Sequence, residues 1–312
     1  MYIGVDIGGT NLVAGLVDDE CRIVEKVKTR ADKSVGDRAL LNAVADLCFE
    51  VTAKGGLKPE DIRRIGIGTP GSVDSENGII IFAGNLPFSS TPAVSMMKER
   101  WDCPVYLGND ANAAALGEVY AGAAKGCSSA LLVTLGTGIG GGIIIDRRIY
   151  AGFNGAAGEI GHMVIVADGE LCTCGRRGCW EAYGSATGLI RMTREAMDNN
   201  KDSAMWDIIE NGHVSGKTAF IAARAGDAAG RAVVDTYIKY LGAGLTNMIN
   251  ILQPEMVCIG GGVCNEGDYL LEPLIGHARR EQFKTSGRMT EIRVAELGND
   301  AGVIGAAMLG GE

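Results

Sequence analysis

The sequence predicts an α/β protein made of two similar halves, each opening on a glycine-turn hairpin. Three observations carry this expectation. Residues 2–17 (YIGVDIGGTNLVAGLV) read as a strand, a Gly-Gly-Thr turn and a second strand. Residues 128–146 (SSALLVTLGTGIGGGIIID) repeat the design, which marks an internal duplication. Behind each hairpin, buried strands alternate with runs of helical spacing, the pattern of an α/β fold.

Composition sets the bounds. A chain of 312 residues is long enough for one large domain or two medium ones. Glycine supplies 47 of them without a G-X-Y period, so collagen is excluded and glycine must serve tight turns and close backbone approach. The net charge of −9 argues against a nucleic-acid or anionic-membrane partner, because both need a basic face. Nine cysteines are an odd number, so they cannot all pair as disulfides. The start MYIGVDIGG has no signal-peptide pattern and no apolar run reaches about 18 residues, so a cytoplasmic, soluble protein with reduced thiols is expected.

In chain order, the first hairpin continues into a third strand, CRIVEKVKT, after the polar turn at Asp18-Asp19. Backbone N–H groups of Gly8 and Gly9, with Thr10, lie where a phosphate can approach without Cβ obstruction. Asp6, on the adjoining strand, is placed to hold Mg2+ or its water shell; a plain hairpin with a capping Asp fits equally well. Residues 37–53 have helical spacing, and 62–68 read as a buried strand ending in a Thr-Pro-Gly-Ser-Val-Asp turn. Such strand ends are where open α/β sheets bind ligands. Asn85-Leu86-Pro87 follows in a loop, then a helix near 92–101 and the short strand VYLGND. Asn109 and Asp110 end that strand ahead of a helix-prone run, so Asp110 is an N-cap, a carboxylate at the sheet edge, or both.

Two motifs in the second half are decoys. Residues 136–141 match G-x-G-x-x-G, but GIIIDRRIY behind them is strand-like where a dinucleotide fold needs a helix. Residues 212–218 (GHVSGKT) have one residue too few for a phosphate-binding P-loop and no preceding strand. They read as a polar turn before a helix. Helices are expected at 185–198, 218–225, 228–251 and 269–280, with strands at EMVCIGGGV and IRVAEL. The Gly260-Gly261-Gly262 triplet suits an adenine or ribose lying on backbone, or is a plain strand-to-loop turn. The expected division is a small α/β domain, 1–118, joined by the C-terminal helix at about 300–312, and a large one, 119–299.

The loop 158–181 packs Glu159, His162, Cys172, Cys174, Cys179 and Glu181 into one short stretch. One His and three Cys at this spacing are the ligand set of a closed, tetrahedral structural zinc site. A zinc-dependent hydrolase would use fewer protein ligands and keep a position open. The other six cysteines (Cys21, Cys48, Cys103, Cys127, Cys258, Cys264) are scattered and mostly read as small buried hydrophobes, and His213 and His277 as surface residues.

Two Gly-turn α/β halves fit the duplicated ribonuclease-H-like, actin-like ATPase fold, in which ATP lies in an interdomain cleft. Over nearly its full length the chain resembles the bacterial glucokinases of the ROK (repressor, open reading frame, kinase) family. The residues that carry this are DIGGT (6–10), GTPGSVD (68–74), NL (85–86), NDANAAALGE (109–118), LVTLGTGIGGG (132–142), GEIGH (158–162), CTCGRRGCWE (172–181), IGGGV (259–263) and LGNDAGVIGAA (297–307). Phe88 departs from relatives that carry Trp near the sugar loop. The resemblance implies an ATP- and Mg2+-dependent glucose 6-kinase with Asp110 as general base. Gly71, Asn85, Asn109, Glu159, His162 and Glu181 would contact the sugar. Asp6, Gly8, Gly9, Thr10, Asn11, Gly136, Thr137 and Gly138 would contact the phosphates and Mg2+, and Gly261 and Gly262 the nucleoside. It also implies structural Zn2+ on His162, Cys172, Cys174 and Cys179, and a homodimer. N-acetylmannosamine, N-acetylglucosamine and fructose are alternative substrates within the family. Sugar-sensing repressors of the family carry a helix-turn-helix before the first hairpin; here the hairpin begins at Ile3 and the charge is wrong for DNA.

Overall fold

The computed structural model describes residues 1–209, 212–284 and 287–311. In chain order the first elements are β1 (Tyr2–Ile7), β2 (Asn11–Val17), β3 (Ile23–Arg30), α1 (Asp37–Lys54), β4 (Arg64–Thr69), β5 (Ser72–Asp74), β6 (Ile79–Phe82), β7 (Ser89–Thr91) and α2 (Ala93–Lys98). Then come β8 (Val105–Asn109), α3 (Asp110–Ala121), β9 (Ala130–Leu135), β10 (Ile139–Ile145), β11 (Arg148–Ile149), α4 (Glu181–Gly184), α5 (Ala186–Asn199), α6 (Met205–Ile208) and α7 (Thr218–Arg224). The chain closes with α8 (Ala228–Leu252), β12 (Met256–Gly260), α9 (Asp268–Glu281), β13 (Glu291–Val294) and α10 (Ala301–Met308). Two five-stranded sheets have the orders β3-β2-β1-β4-β8 and β11-β10-β9-β12-β13, and a small third sheet has the order β5-β6-β7. Both large sheets carry the expected glycine-turn hairpin. No helix among the described residues is long and apolar enough to cross a membrane.

The chain divides into two compact units: Met1–Leu132, Gly142–Gly158 and Ala295–Glu312 form the first, and Val133–Gly141 with Glu159–Val294 the second. Residues 119–132 and 142–158 thus cluster with the first unit.

In the first unit, β1 pairs antiparallel with β2 and parallel with β4, and β4 pairs parallel with β8. The two faces of this sheet differ in kind. Ile3, Val5, Ile7, Ile65 and Ile67 are fully buried and belong to one core with Leu40, Leu41, Val44 and Val51 of α1. With a side-chain period of two, the opposite face carries Gly4, Gly66, Gly68 and Gly108. A Cβ at Gly4 would run into the Val303 carbonyl, and one at Gly66 into the Ala306 carbonyl, both in α10. In the same way Gly305 of α10 lies against the Ala113 carbonyl, and Gly117 of α3 against that of Ala301. Small residues on all three elements let α10 and α3 lie at backbone contact distance on the sheet.

The second unit is organised by α8, whose buried side includes Tyr237, Leu241, Leu245 and Ile249. Its N-cap Asp227 accepts the Gly230 N–H at 2.6 Å, and the helix ends on Gln253 in the left-handed region. Gly244 faces the indole of Trp180, leaving no room there for a Cβ. Tyr237 meets Phe220 of α7 edge-on at 6.4 Å and donates from its hydroxyl to the Gly184 carbonyl at 2.8 Å. Trp180 and Gly184, which flank the end of the cysteine loop, are thereby fixed to the core.

Candidate functional site

In the first unit the sheet brings two carboxylates to one edge. Registers Asp6↔Gly68 and Thr69↔Asn109 put the C-terminal ends of β1, β4 and β8 side by side. This is the edge at which parallel sheets take ligands. Asn109 is the N-cap of α3: its Oδ1 accepts the N–H groups of Ala111 at 2.9 Å and Asn112 at 3.2 Å. Its Nδ2 donates to the Gly71 carbonyl at 3.1 Å, and the same side chain also supports the Asp110 carboxylate. The cap is therefore Asn109, and Asp110 is the first helical residue. Asp110 accepts the Ala111 N–H at 2.8 Å, which fixes its carboxylate at the helix start. Burial raises the pKa of Asp110 against the opposing pull of that N–H and of Asn109. Asp6 is pushed up to about 6, first by burial and then by the negative charge of Asp110. A buried acid pressed by a second acid is a site that welcomes a cation.

The turn after β1 is closed by Gly8 N–H donating to the Asn11 carbonyl at 2.8 Å, and Ala31 N–H donates to the Thr10 carbonyl at 2.9 Å. Thr10 is exposed at its tip. The position a Cβ would take at Gly9 is 3.9 Å from the Cβ of Asn85 and 3.8 Å from Nζ of Lys33. Lys33 is a cation beside this turn that no sequence pattern singled out. Gly71 sits at φ +90°, and a side chain there would strike the Phe82 carbonyl, so only glycine fits. Phe88 is buried in the core of this unit.

In the second unit, the turn Gly136-Thr137-Gly138 joins β9 to β10, with Gly136 N–H donating to the Gly138 carbonyl at 3.0 Å. Gly261, at φ +98°, lies against the backbone of Leu135 at the end of β9, so the glycines after β12 adjoin this turn. Glu181 reaches it too: its Oε2 accepts the Ile139 N–H at 3.1 Å.

His162, Cys172, Cys174 and Cys179 converge, with their four ligand atoms within 4.8 Å of one another. The Sγ atoms of Cys174 and Cys179 are 3.7 Å apart, and Cys172 Sγ is 3.6 Å from His162 Nδ1. With metal distances of about 2.3 Å to sulfur and 2.0–2.1 Å to nitrogen, tetrahedral edges are about 3.8 Å for S···S and 3.5–3.6 Å for S···N. These two edges have the lengths of a tetrahedral metal site. Nδ1 is the ring nitrogen that faces the sulfurs, while Nε2 is turned to the Glu159 carboxylate, 3.9 Å away. Cys174 is held below the ordinary thiol range, chiefly by the Arg176 N–H, and burial pushes Cys179 up to about 12. Short backbone ladders shape the loop: Trp180 N–H donates to the Met163 carbonyl at 2.7 Å and Gly178 N–H to that of Glu170 at 2.8 Å. Tyr183 OH receives the Glu170 N–H at 2.7 Å.

Among the remaining cysteines, Cys48 and Cys258 are buried, while Cys21, Cys103, Cys127 and Cys264 are half-buried. His213 is exposed as expected, but His277 is half-buried on α9, packed over Gly242. Its apolar neighbours on an amphipathic helix hid this. Two residues of structural weight also went unremarked in the sequence. Trp180 is fully buried; burying roughly 200 Å² of indole stabilises the loop's anchorage by about 5 kcal/mol as an upper bound. Glu118 is the other. Only 1% exposed, it accepts from Ala123 N–H at 2.8 Å, Glu296 N–H at 3.2 Å and Leu297 N–H at 2.9 Å, tying the end of α3 to the lead-in of α10.

Glycine-turn hairpins at the head of two α/β units, with half-buried carboxylates at a strand edge, define the two-domain fold of the actin-like ATPases. The chain belongs to the ROK family, whose family model matches residues 2–312. A glucokinase of Halalkalibacterium halodurans is 39% identical over 99% of this chain and 94% of its own. One of Streptomyces coelicolor is 36% identical over all of this chain and 98% of its own. The crystal structure of a ROK family glucokinase from Streptomyces griseus in complex with glucose and AMPPNP superposes with a TM-score of 0.78 at 34% identity, covering 99% of this chain and 98% of that one.

Proposed function

We propose that this protein is an ATP-dependent glucokinase that transfers the γ-phosphoryl group of ATP to the 6-hydroxyl of D-glucose. The observation that carries the reading is the pair of half-buried carboxylates, Asp6 and Asp110, at one sheet edge of a chain alike from end to end to glucokinases. Phosphoryl transfer needs positioning, charge neutralisation and a base beside the attacking hydroxyl, and little covalent chemistry. Asp110 accepts the proton of the 6-hydroxyl as its oxygen attacks the γ-phosphorus, and ADP leaves. The raised pKa of Asp110 makes it a better proton acceptor than an exposed aspartate. Asp6 holds Mg2+ or its water shell; that ion, when bound with ATP, neutralises charge on the phosphates. Gly8, Gly9, Thr10 and Asn11, with Gly136, Thr137 and Gly138, offer backbone and hydroxyl donors to the phosphates. Gly261 and Gly262 give flat backbone to the nucleoside.

Glu159, His162 and Glu181, with Asn85, Asn109 and the Gly71 backbone, hydrogen-bond the sugar hydroxyls. Carboxylates suit this work because buried acceptors left unpaired penalise a wrong epimer. The tetrahedral cluster takes Zn2+, the ion its Cys3His donor set selects, and the ion is structural because four protein ligands close the shell. With Nδ1 on the metal side, His162 keeps Nε2 for a hydroxyl, its ring plane and tautomer fixed. A cytoplasmic location, where ATP is supplied and thiols stay reduced, and a homodimer complete the reading. Sedimentation velocity tests the dimer.

The function is tested by coupled ADP release with ATP–Mg2+ across glucose, mannose, fructose, N-acetylglucosamine and N-acetylmannosamine. Glucose should give the highest kcat/KM. ADP release that no sugar stimulates, or that an N-acetylhexosamine stimulates best, would sink the assignment.

A further inference from the structure

Residues 181–187, directly behind the last cysteine, grip the Gly136-Thr137-Gly138 turn at three points. Glu181 Oε2 accepts the Ile139 N–H at 3.1 Å, and a Cβ at Gly138 would collide with that carboxylate. Ala186 N–H donates to the Gly136 carbonyl at 2.9 Å. Thr187 Oγ1 donates to the Thr137 carbonyl at 2.7 Å. The same Glu181 also reaches back into the metal loop, where its Oε1 accepts from Thr173 Oγ1 at 3.1 Å, next to the ligand Cys172.

The two pinned carbonyls have a geometric consequence. In a trans peptide the C=O of one residue and the N–H of the next point in opposite directions. Holding the carbonyls of Gly136 and Thr137 toward α5 therefore turns the N–H groups of Thr137 and Gly138 the other way, side by side. Among the described residues neither N–H finds a backbone or side-chain acceptor. Two adjacent, unpaired backbone donors aimed to one side make a nest for an anionic oxygen.

We propose that the segment Glu181–Thr187 couples the metal loop to the nucleotide's phosphates, with Thr187 a positioning residue that aims the Gly138 N–H. This rests on the glucokinase reading, in which the turn meets ATP. Thr187 touches neither sugar nor phosphate; it acts through the Thr137 peptide. Glu181 carries the state of the loop, because its carboxylate is shared between the Thr173 hydroxyl and the Ile139 N–H.

The test is calorimetric titration of AMPPNP–Mg2+ and, separately, of glucose into wild type, Thr187→Val and Thr187→Ser, with ADP-release kinetics alongside. Loss of one hydrogen bond should weaken AMPPNP about 3–10-fold in Thr187→Val and raise the KM for ATP with little change in kcat. Glucose affinity should hold within about twofold, and Thr187→Ser should stay close to wild type. Removing the metal with a chelator should weaken AMPPNP binding measured without sugar, and added Zn2+ should restore it. AMPPNP affinity unchanged in Thr187→Val, or equally poor in Thr187→Ser, would overturn the role of Thr187. A chelated protein that loses glucose while keeping AMPPNP would overturn the coupling. Wild-type, metal-loaded protein that binds no AMPPNP would refute the underlying glucokinase reading instead.

Discussion

Asp6 is where stability and proposed function pull in opposite directions, and Asp6→Asn exposes the conflict. In the folded protein its pKa stands at about 6 against an ordinary value of 3.8, through burial first and the Asp110 charge second. A folded-state pKa above the unfolded one means that the native protein binds this proton more tightly. Above about pH 6 the carboxylate is charged in a place that disfavours the charge, and folding carries the full penalty. As pH falls through 6 the native state takes up the proton and the penalty shrinks, vanishing below the unfolded value. Roughly two pKa units correspond to about 3 kcal/mol, a large part of the 5–15 kcal/mol that holds a domain together. An amide has no such charge. Asp6→Asn, free of nucleotide and divalent ions, should therefore melt several degrees above wild type at pH 8 and lose most of that lead by about pH 4.5. Differential scanning calorimetry over that pH range reads it directly. Adding ATP–Mg2+ should reverse the order, since ligand stabilises the protein that binds it. In an Asp110→Asn background the gain should shrink, because part of the strain on Asp6 comes from that partner. A variant that is no more stable than wild type at pH 8, or whose advantage ignores pH, would refute the electrostatic account.

Asp110→Asn should cost about 10²–10⁴ in kcat while leaving glucose binding within a few-fold, as measured by steady-state kinetics and calorimetry. Chelating the metal should lower the melting temperature and drain activity slowly, both recoverable with Zn2+, since metal binding is coupled to folding of the loop. Glu118→Gln exchanges one acceptor oxygen for a donor facing backbone N–H groups; about 1–3 kcal/mol of stability should go, read as a fall in melting temperature. Gly305→Ala drives a methyl into the Ala113 carbonyl and should destabilise by about 1–3 kcal/mol or prevent folding, whereas Gly216→Ala, with no atom within 4 Å of the added methyl, should do neither.

Elements with strong periodicity were legible in the sequence. β1 to β3, α1, α8 and both glycine-turn hairpins stand within a residue or two of expectation, because alternation and helical spacing persist over six residues or more. The β5-β6-β7 sheet was not legible. Its strands are three or four residues long and broken by Asp, Asn and Gly, too short for any period to register. The metal cluster could be read because its ligands lie close in sequence. Glu118 could not be, because a Glu in an Ala-rich helix looks like a solvated face, and its acceptor role depends on a segment nearly 180 residues away. Thr187 was hidden in the same way: its partner is a backbone carbonyl 50 residues earlier, and no side-chain pattern records that. The alternatives for Asp110 were settled by its neighbour, since Asn109 took the cap.

The seating of α10 on the glycine face of β1 and β4 also bears on how the protein is made. The first unit's sheet leaves the ribosome early, yet the helix that covers its glycine face comes from residues 301–308. At about 5–20 residues per second, the stretch between Leu132 and α10 takes on the order of ten to thirty seconds to synthesise. Throughout that interval the opening unit lacks its covering helix. The second unit, whose residues run from Val133 to Val294, has its whole sequence before the first does. The N-terminal sheet therefore cannot reach its full packing until α10 has been made, and a chain stopped short of Ala301 would leave that glycine face uncovered.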